Sequence, residues 1–166
     1  RDFEDEEGNK QTEIFFVAVR QHQVYSLVQT CQAAGLKLKV IDIEPLAIYR
    51  LLSSSDTIAA DRSIGILNIG ASGSSLAVFK NEAMTFYRFF SFGCEAFLSG
   101  NNFMDVPDWS GLDEIEIEGN DRFDYLIADL LAELLRSIEY YSIQHNDTVD
   151  AVYLVGGGAR LKGLDV

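Results

Sequence analysis

Three short apolar runs follow one another between Ile64 and Phe92: "IGILNI", "SLAVFK" and "AMTFYRFFSF". They are joined by a Gly/Ser-rich stretch and by the pair Asn81-Glu82. Runs of this length, rich in β-branched and aromatic residues, read as strands, and connections this short join antiparallel neighbours. The spacing predicts a meander with strands at about 64–69, 75–80 and 83–92. One polar residue interrupts the first run. Asn68 lies just before Gly70 and faces a loop containing Gly70, Ala71, Ser72, Gly73, Ser74 and Ser75. A strand that stops at glycine and small hydroxyl residues exposes backbone N–H groups in a concave array that can hold phosphate oxygens. Many phosphate-handling proteins end such a strand in an acid; this chain has the loop and an amide.

Around the meander the pattern alternates helix and strand. "EIFFVAV" (13–19) is a continuous apolar run suited to a strand buried on both faces. Val24, Leu27, Val28, Cys31 and Ala34 then recur at helical steps, and Gly35 supplies the left-handed residue that ends helices. "LKVIDIEP" resumes as a strand, so the first part reads β-α-β, and Pro45 opens a further helix, "PLAIYRLL". "SSSDTIAADRS" (53–63) is a polar, aperiodic linker. Beyond the meander, "GCEAFLSGNNFM" begins a helix, and the acidic stretch 105–120 is a surface excursion broken by Gly and Pro. Residues 121–145 form a long helix with Phe123, Ile127, Leu130, Leu134, Ile138 and Tyr141 on one face, reinforced by Leu126, Leu131 and Leu135. "AVYLVGGGARLKGL" runs strand, glycine loop, helix start. The chain is therefore read as α/β, with a β-α-β subdomain and linking helix at 1–52, a linker at 53–63 and a larger lobe at 64–166 carrying the acidic insert 105–120.

Charge and composition narrow the function. With a formal net charge of -13, the chain lacks the basic surface that nucleic acids or anionic lipids require. Much of this acid is local, in "RDFEDEEGNK" and "DVPDWSGLDEIEIEGND", and both stretches read as solvated loops. Two cysteines, Cys31 and Cys94, are too few for a disulfide framework and sit in apolar surroundings typical of buried thiols, which points to a reducing compartment. No apolar run approaches the ~20 residues of a membrane span. With two histidines and no clustered Cys/His spacing, a zinc site is not expected.

The second candidate loop is "LVGGGARLKG", which places three glycines between a buried strand and a helix start. Such a junction turns the positive end of a helix toward whatever occupies the loop. It fails the dinucleotide fingerprint, because Leu161 stands where the last glycine is required, and it lacks the G-K-[ST] of a Walker loop. Taken alone, the Gly/Ser loop fits a plain hairpin turn better than a phosphate site, and the triple glycine fits a structural strand-to-helix turn equally well. "DEIEIE" (113–118) lacks the ligand pattern of a calcium loop. Trp109 among acids reads as packing of the insert or as a docking spot. Ser72 and Ser74 have no visible His/Asp support for nucleophilic work.

The pair of glycine loops, some eighty residues apart, has the layout of one lobe of an actin-like ATPase. The blocks "AAGLKLKVIDIEPLAIYRLL", "ILNIGASGSSLAVFKNEAMTFYRFFSFGCEAF" and "VYLVGGGARLKGL", in this order and spacing, resemble the PilM family of type IV pilus assembly proteins. The cell-division protein FtsA is a more distant relation of similar design. The resemblance implies an RNase H-like lobe in which Asn68, Gly70, Ala71, Ser72 and Gly73 form the second phosphate loop and Gly156, Gly157 and Gly158 approach the nucleoside of ATP bound with Mg. It further implies a scaffold at the inner face of the cytoplasmic membrane, which binds the cytoplasmic tail of a PilN-like protein and can self-associate.

Two departures qualify it. The family usually carries an aspartate where this chain has Asn68, and a neutral amide forfeits the charge that holds a hydrated metal ion or the attacking water, so weak or absent hydrolysis is expected. No first phosphate loop precedes residue 13, which suggests a fragment or a short form. A rival reading, one lobe of an ATP-dependent kinase or ATPase, needs a functional acid near Asn68, with Asp42 or Asp61 to serve. An FtsA-like division protein would need a C-terminal amphipathic helix.

Overall fold

The computed structural model describes residues 2–4, 7–12, 14–55, 58, 62–95, 121–161 and 164. It divides into two units, Arg1–Ile43 and Glu44–Val166.

In the N-terminal unit, β1 (Asp2–Glu4) and β2 (Lys10–Thr12) pair antiparallel, with Phe3 opposite Gln11. The acidic start, expected as a solvated loop, thus contributes to a hairpin, with Gly8 at φ +81° in its connection. Helix α1 (Gln21–Ala33) follows and ends as expected at Gly35, at φ +69°. Leu36 N–H donates to the Cys31 carbonyl at 2.8 Å and Gly35 N–H to Gln32 at 3.0 Å, so the last-turn carbonyls are satisfied. The expected strands on either side of α1 differ from the sequence reading. Residues 14–20 and 36–43 join no sheet among the described residues, and Ile14, Phe16 and Val40 are more than three-quarters exposed. An apolar run encodes a preference for burial, whereas a strand also requires a ladder partner for its N–H and C=O groups.

The second unit is a four-stranded sheet in the order β5-β4-β3-β6. Strands β3 (Ile64–Ile69), β4 (Ser74–Lys80) and β5 (Ala83–Phe90) form the predicted antiparallel meander, within one or two residues of the expected ends. Asn81 and Glu82 both adopt positive φ (49° and 64°), the two-residue turn whose twist matches a hairpin. Strand β6 (Ala151–Val155) lies parallel to β3, with Ile64 opposite Ala151 and Asn68 opposite Val155.

The period-2 alternation of β3 sorts its side chains between two helices. Ile64 and Ile66, with Ala77 and Phe79 of β4, pack under Leu46, Ile48, Tyr49 and Leu52 of helix α2 (Glu44–Ser54). Tyr49 stacks on Phe79 with ring centroids 4.2 Å apart. Leu67 and Ile69, with Leu76 and Val78, pack against Leu130, Leu134, Ile138 and Tyr141 of helix α3 (Asp121–His145). The unit boundary therefore falls at 43/44 rather than 52/53. Helix α2 belongs to the sheet it covers, and it extends through Ser54 into the stretch read as linker. On α3 the predicted face is too wide: Leu131 is 48% exposed and Leu135 65%, while Ser137 is buried, its hydroxyl donating to the Glu133 carbonyl at 2.6 Å. The helix expected to continue beyond residue 95, the acidic excursion 105–120 with Trp109, and the side chain of Phe123 lie outside the described residues.

At the end of the sheet where β3 begins, Asp147 ties several elements together. Its carboxylate accepts hydrogen bonds from Ser63 Oγ (2.5 Å), Tyr141 OH (2.7 Å) and Lys80 Nζ (2.7 Å). Asp150 exchanges two bonds with the backbone of Ser63, at 2.9 Å and 2.8 Å.

Candidate functional site

The opposite end of the sheet carries the glycine turns. Because β3 and β6 are adjacent and parallel, with Asn68 level with Val155, the chain leaves both strands on the same edge. The loop 70–73 and the turn 156–158 therefore stand side by side at neighbouring strand tips, as the sequence reading required.

The first loop is shaped by its own backbone. Gly70 N–H donates to the Gly73 carbonyl at 2.9 Å, Cys94 N–H to the Gly70 carbonyl and Glu95 N–H to the Ala71 carbonyl, both at 2.9 Å. A Cβ on Gly93 would come within 2.1 Å of the Ala71 oxygen, so the chain beyond β5 packs directly beneath the loop. Ser74 is buried and donates to the Phe92 carbonyl at 2.7 Å, which removes it from the loop's outer surface. Ala71 and Ser72 are left at the tip, with Ser72 exposed. Gly70 shapes the loop and has its N–H internally bonded. Buried Cys94 below it has its thiol pushed up by desolvation, which leaves it a poor nucleophile.

The triple glycine is not three equivalent residues. Gly156 adopts φ +88°, and a Cβ there would lie 2.2 Å from Asn68 Oδ1 and 2.6 Å from the Ile69 carbonyl. Gly158 is buried, and a Cβ there would overlap the Ile69 side chain at 2.2 Å. These two are glycine because β3 runs against them. Gly157 is exposed and meets nothing within 4 Å, so crowding does not explain it. It starts a short 3-10 turn, Gly157–Arg160, where the strand-to-helix junction was expected.

Asn68 lies between these features. It follows Ile64 and Ile66 on the face covered by α2, and the first residue of that helix, Glu44, arrives over it. Asn68 Nδ2 donates to Glu44 Oε1. Glu44 was missed in the sequence reading. Its signal was available: the alternation Ile64-Ile66-Asn68 places the amide on the α2 side, and α2 starts with an acid. Of the acids considered instead, Asp42 belongs to the N-terminal unit and Asp61 lies outside the described residues.

Among the described residues, cavities open against α3. One of about 520 Å³ is lined by Phe89, Phe90, Phe92, Asp129, Glu133 and Arg136. The other, about 470 Å³ and mostly apolar, lies between Leu154 of β6 and Leu130 and Leu134. Neither is lined by Asn68 or by the turn glycines, so size does not single out the site; chemistry and register do. Among the described residues no group of three or more His, Cys, Asp or Glu side chains gathers to hold a metal, and no helix is long and apolar enough to cross a membrane.

Comparison with known proteins agrees with this geometry. The family described as Type IV pilus assembly protein PilM matches residues 2–166. The chain belongs to the PilM family. Among solved structures, a chain from a PilM-PilN type IV pilus biogenesis complex superposes with a TM-score of 0.72 at 28% identity, covering 87% of this chain and 44% of that one. The ethanolamine utilization protein EutJ from Carboxydothermus hydrogenoformans superposes with a TM-score of 0.58 at 18% identity, covering 87% of this chain and 51% of that one. This second likeness concerns the fold alone; the two superpositions together, with the sheet topology, make this an α/β protein of actin-like fold. The chain spans about half the length of the solved structures it matches. No curated protein matches it.

Proposed function

We propose that this PilM-family chain supplies one wall of a nucleotide site, and that ATP held there with Mg sets the affinity of a pilus-assembly scaffold for its membrane partner. The observation that carries this reading is the parallel register of β3 and β6, which aligns the loop 70–73 and the turn 156–158 at one edge with the Glu44 carboxylate beside them. Gly157 and the loop tip Ala71-Ser72 would face the nucleotide, while Gly156 and Gly158 allow β3 to approach. A carboxylate next to an anion-holding loop repels a bare phosphate. It is favourable only with a cation between them, so the donor set fits a metal-bound nucleotide better than free phosphate. Mg is commonly held by substrate phosphates and one or two carboxylates, which a single Glu44 satisfies. When bound, the ion would neutralise phosphate charge.

By likeness to the PilM-PilN complex, the partner is the cytoplasmic tail of a PilN-like protein, which would place the scaffold at the inner face of the cytoplasmic membrane, where copies can self-associate. The test is to titrate a PilN-like tail peptide against the chain with and without Mg·ATP. The reading expects ATP binding and a several-fold change in peptide affinity; a chain that binds no nucleotide would refute it.

The position of Glu44 also favours a second reading, true ATP turnover, because it supplies an acid at the place Asn68 leaves neutral. Steady-state phosphate release with Mg separates the two: sustained turnover supports an ATPase, whereas binding without release supports a scaffold with weak or no hydrolysis.

A further inference from the structure

Asn68 touches two elements through the two ends of one amide. Its Oδ1 faces Gly156, where even a methyl group would come to 2.2 Å, and its Nδ2 donates to Glu44 Oε1. The donor end must face the carboxylate, since the acceptor end would oppose it. From this arrangement we propose that Asn68 is a positioning residue for Glu44. The carboxylate beside Asn68 is brought by α2 and oriented from β3, and the amide at 68 exists to receive it. The consequence runs against the simplest expectation. Changing Asn68 to aspartate does not supply a missing acid; it sets two carboxylates at hydrogen-bond distance, where they repel unless they share a proton.

The proposal rests on the nucleotide reading for its ligand, but its geometry can be tested without one. Four proteins decide it: wild type, Asn68→Asp, Glu44→Gln, and the double exchange Glu44→Gln with Asn68→Asp. Asn68→Asp is expected to lower the melting temperature by about 3 °C or more, the size of losing one charge-assisted hydrogen bond in a chain of this length. The double exchange puts the amide on the helix and the carboxylate on the strand, and it should recover most of that loss. Mg·ATP affinity should fall about tenfold or more in Asn68→Asp, as for the loss of a group that orients a metal ligand, and stay low in the exchange, where the Glu44 carboxylate is gone although the contact is restored. Glu44→Gln keeps a neutral contact, so its melting temperature should stay near wild type while the ratio of ATP affinities with Mg and with EDTA collapses. A Glu44 carboxylate with no part in metal binding would leave that ratio unchanged, and a merely structural amide would leave Mg·ATP affinity unchanged in Asn68→Asp.

Tighter Mg·ATP binding by Asn68→Asp would overturn the proposal, and so would additive melting shifts in the double exchange. If no variant binds nucleotide, the functional reading fails, and the melting temperatures alone judge the Asn68–Glu44 couple.

Discussion

The two ends of the β3–β6 pair are built on opposite principles. Where β3 begins, Asp147 receives donors from Ser63, Tyr141 and Lys80, and Asp150 closes on the Ser63 backbone. Where β3 ends, side chains give way to glycine turns, and the Asn68–Glu44 pair makes a polar contact beside them. At the first end a carboxylate surrounded by donors joins α3, β3 and β4. At the second end the backbone itself is packed tightly, and the carboxylate faces outward from the start of a helix. A polar group enclosed by its partners contributes stability, whereas one held by a single partner beside an open backbone turn is available to a ligand.

The largest effect that tests this contrast is at Gly156. An alanine there would adopt φ +88° with an extended ψ, a region essentially reserved for glycine, and its methyl would meet the Ile69 carbonyl at 2.6 Å. Strain of this kind costs on the order of 1–3 kcal/mol, and the overlap adds about as much again. Gly156→Ala should therefore lower stability by about 3 kcal/mol or more in a denaturant titration. If the loss is within about 0.5 kcal/mol of zero, the close approach of β3 to the turn is wrong.

How far the sequence showed this end of the molecule depends on the range of each interaction. The meander was readable because its strands and turns are local. Alternation fixes the faces, and Asn81-Glu82 fixes the reversal. The adjacency of the glycine turns required only that β6 pair with β3. Glu44 was harder, because its contact with Asn68 spans 24 residues and depends on which face α2 covers. The polar hub went unread for the same reason: Lys80, Tyr141 and Asp147 lie on different elements, and none has a local pattern. The runs 14–20 and 36–43 failed differently, since their composition is that of strands while their pairing depends on a partner. On α3 the helical stripe was drawn too wide, because a sheet covers a narrower band than the apolar residues mark out.

At the enclosed end, the expected loss is smaller and depends on pH. Hydrogen bonds from Lys80 first, then Ser63 and Tyr141, hold the Asp147 carboxyl well below the usual carboxylate range. The unfolded chain therefore takes up a proton at a higher pH than the folded one. The stability that Asp147 contributes is complete above about pH 4–5 and is lost progressively as pH falls below that. Asp147→Asn should cost about 1–3 kcal/mol at neutral pH, because a charged acceptor for three donors becomes a neutral amide. The same variant should lose less stability than wild type between about pH 4 and pH 2, since the titrating group is gone. Parallel acid limbs for the two proteins would show that the hub carries no charge-dependent stability.

The smallest effect on folding separates the two ends most sharply. Gly157 lies one residue from Gly156, yet a methyl added there meets nothing within 4 Å. It stands at the start of the 3-10 turn, exposed, with no packing reason to be glycine. Gly157→Ala should leave the melting temperature within about 2 °C of wild type, since alanine is tolerated in helical backbone. If the turn serves only to let β6 pass into the next segment, nothing else should change. If it is the surface on which a nucleoside rests, the methyl occupies the ligand's space, and ATP affinity should fall several-fold while stability holds. A loss of binding with unchanged melting would assign Gly157 to function and its two neighbours to packing. Loss of both together would mean that the whole turn is structural, and the contrast between the two ends of the sheet would then be one of architecture alone.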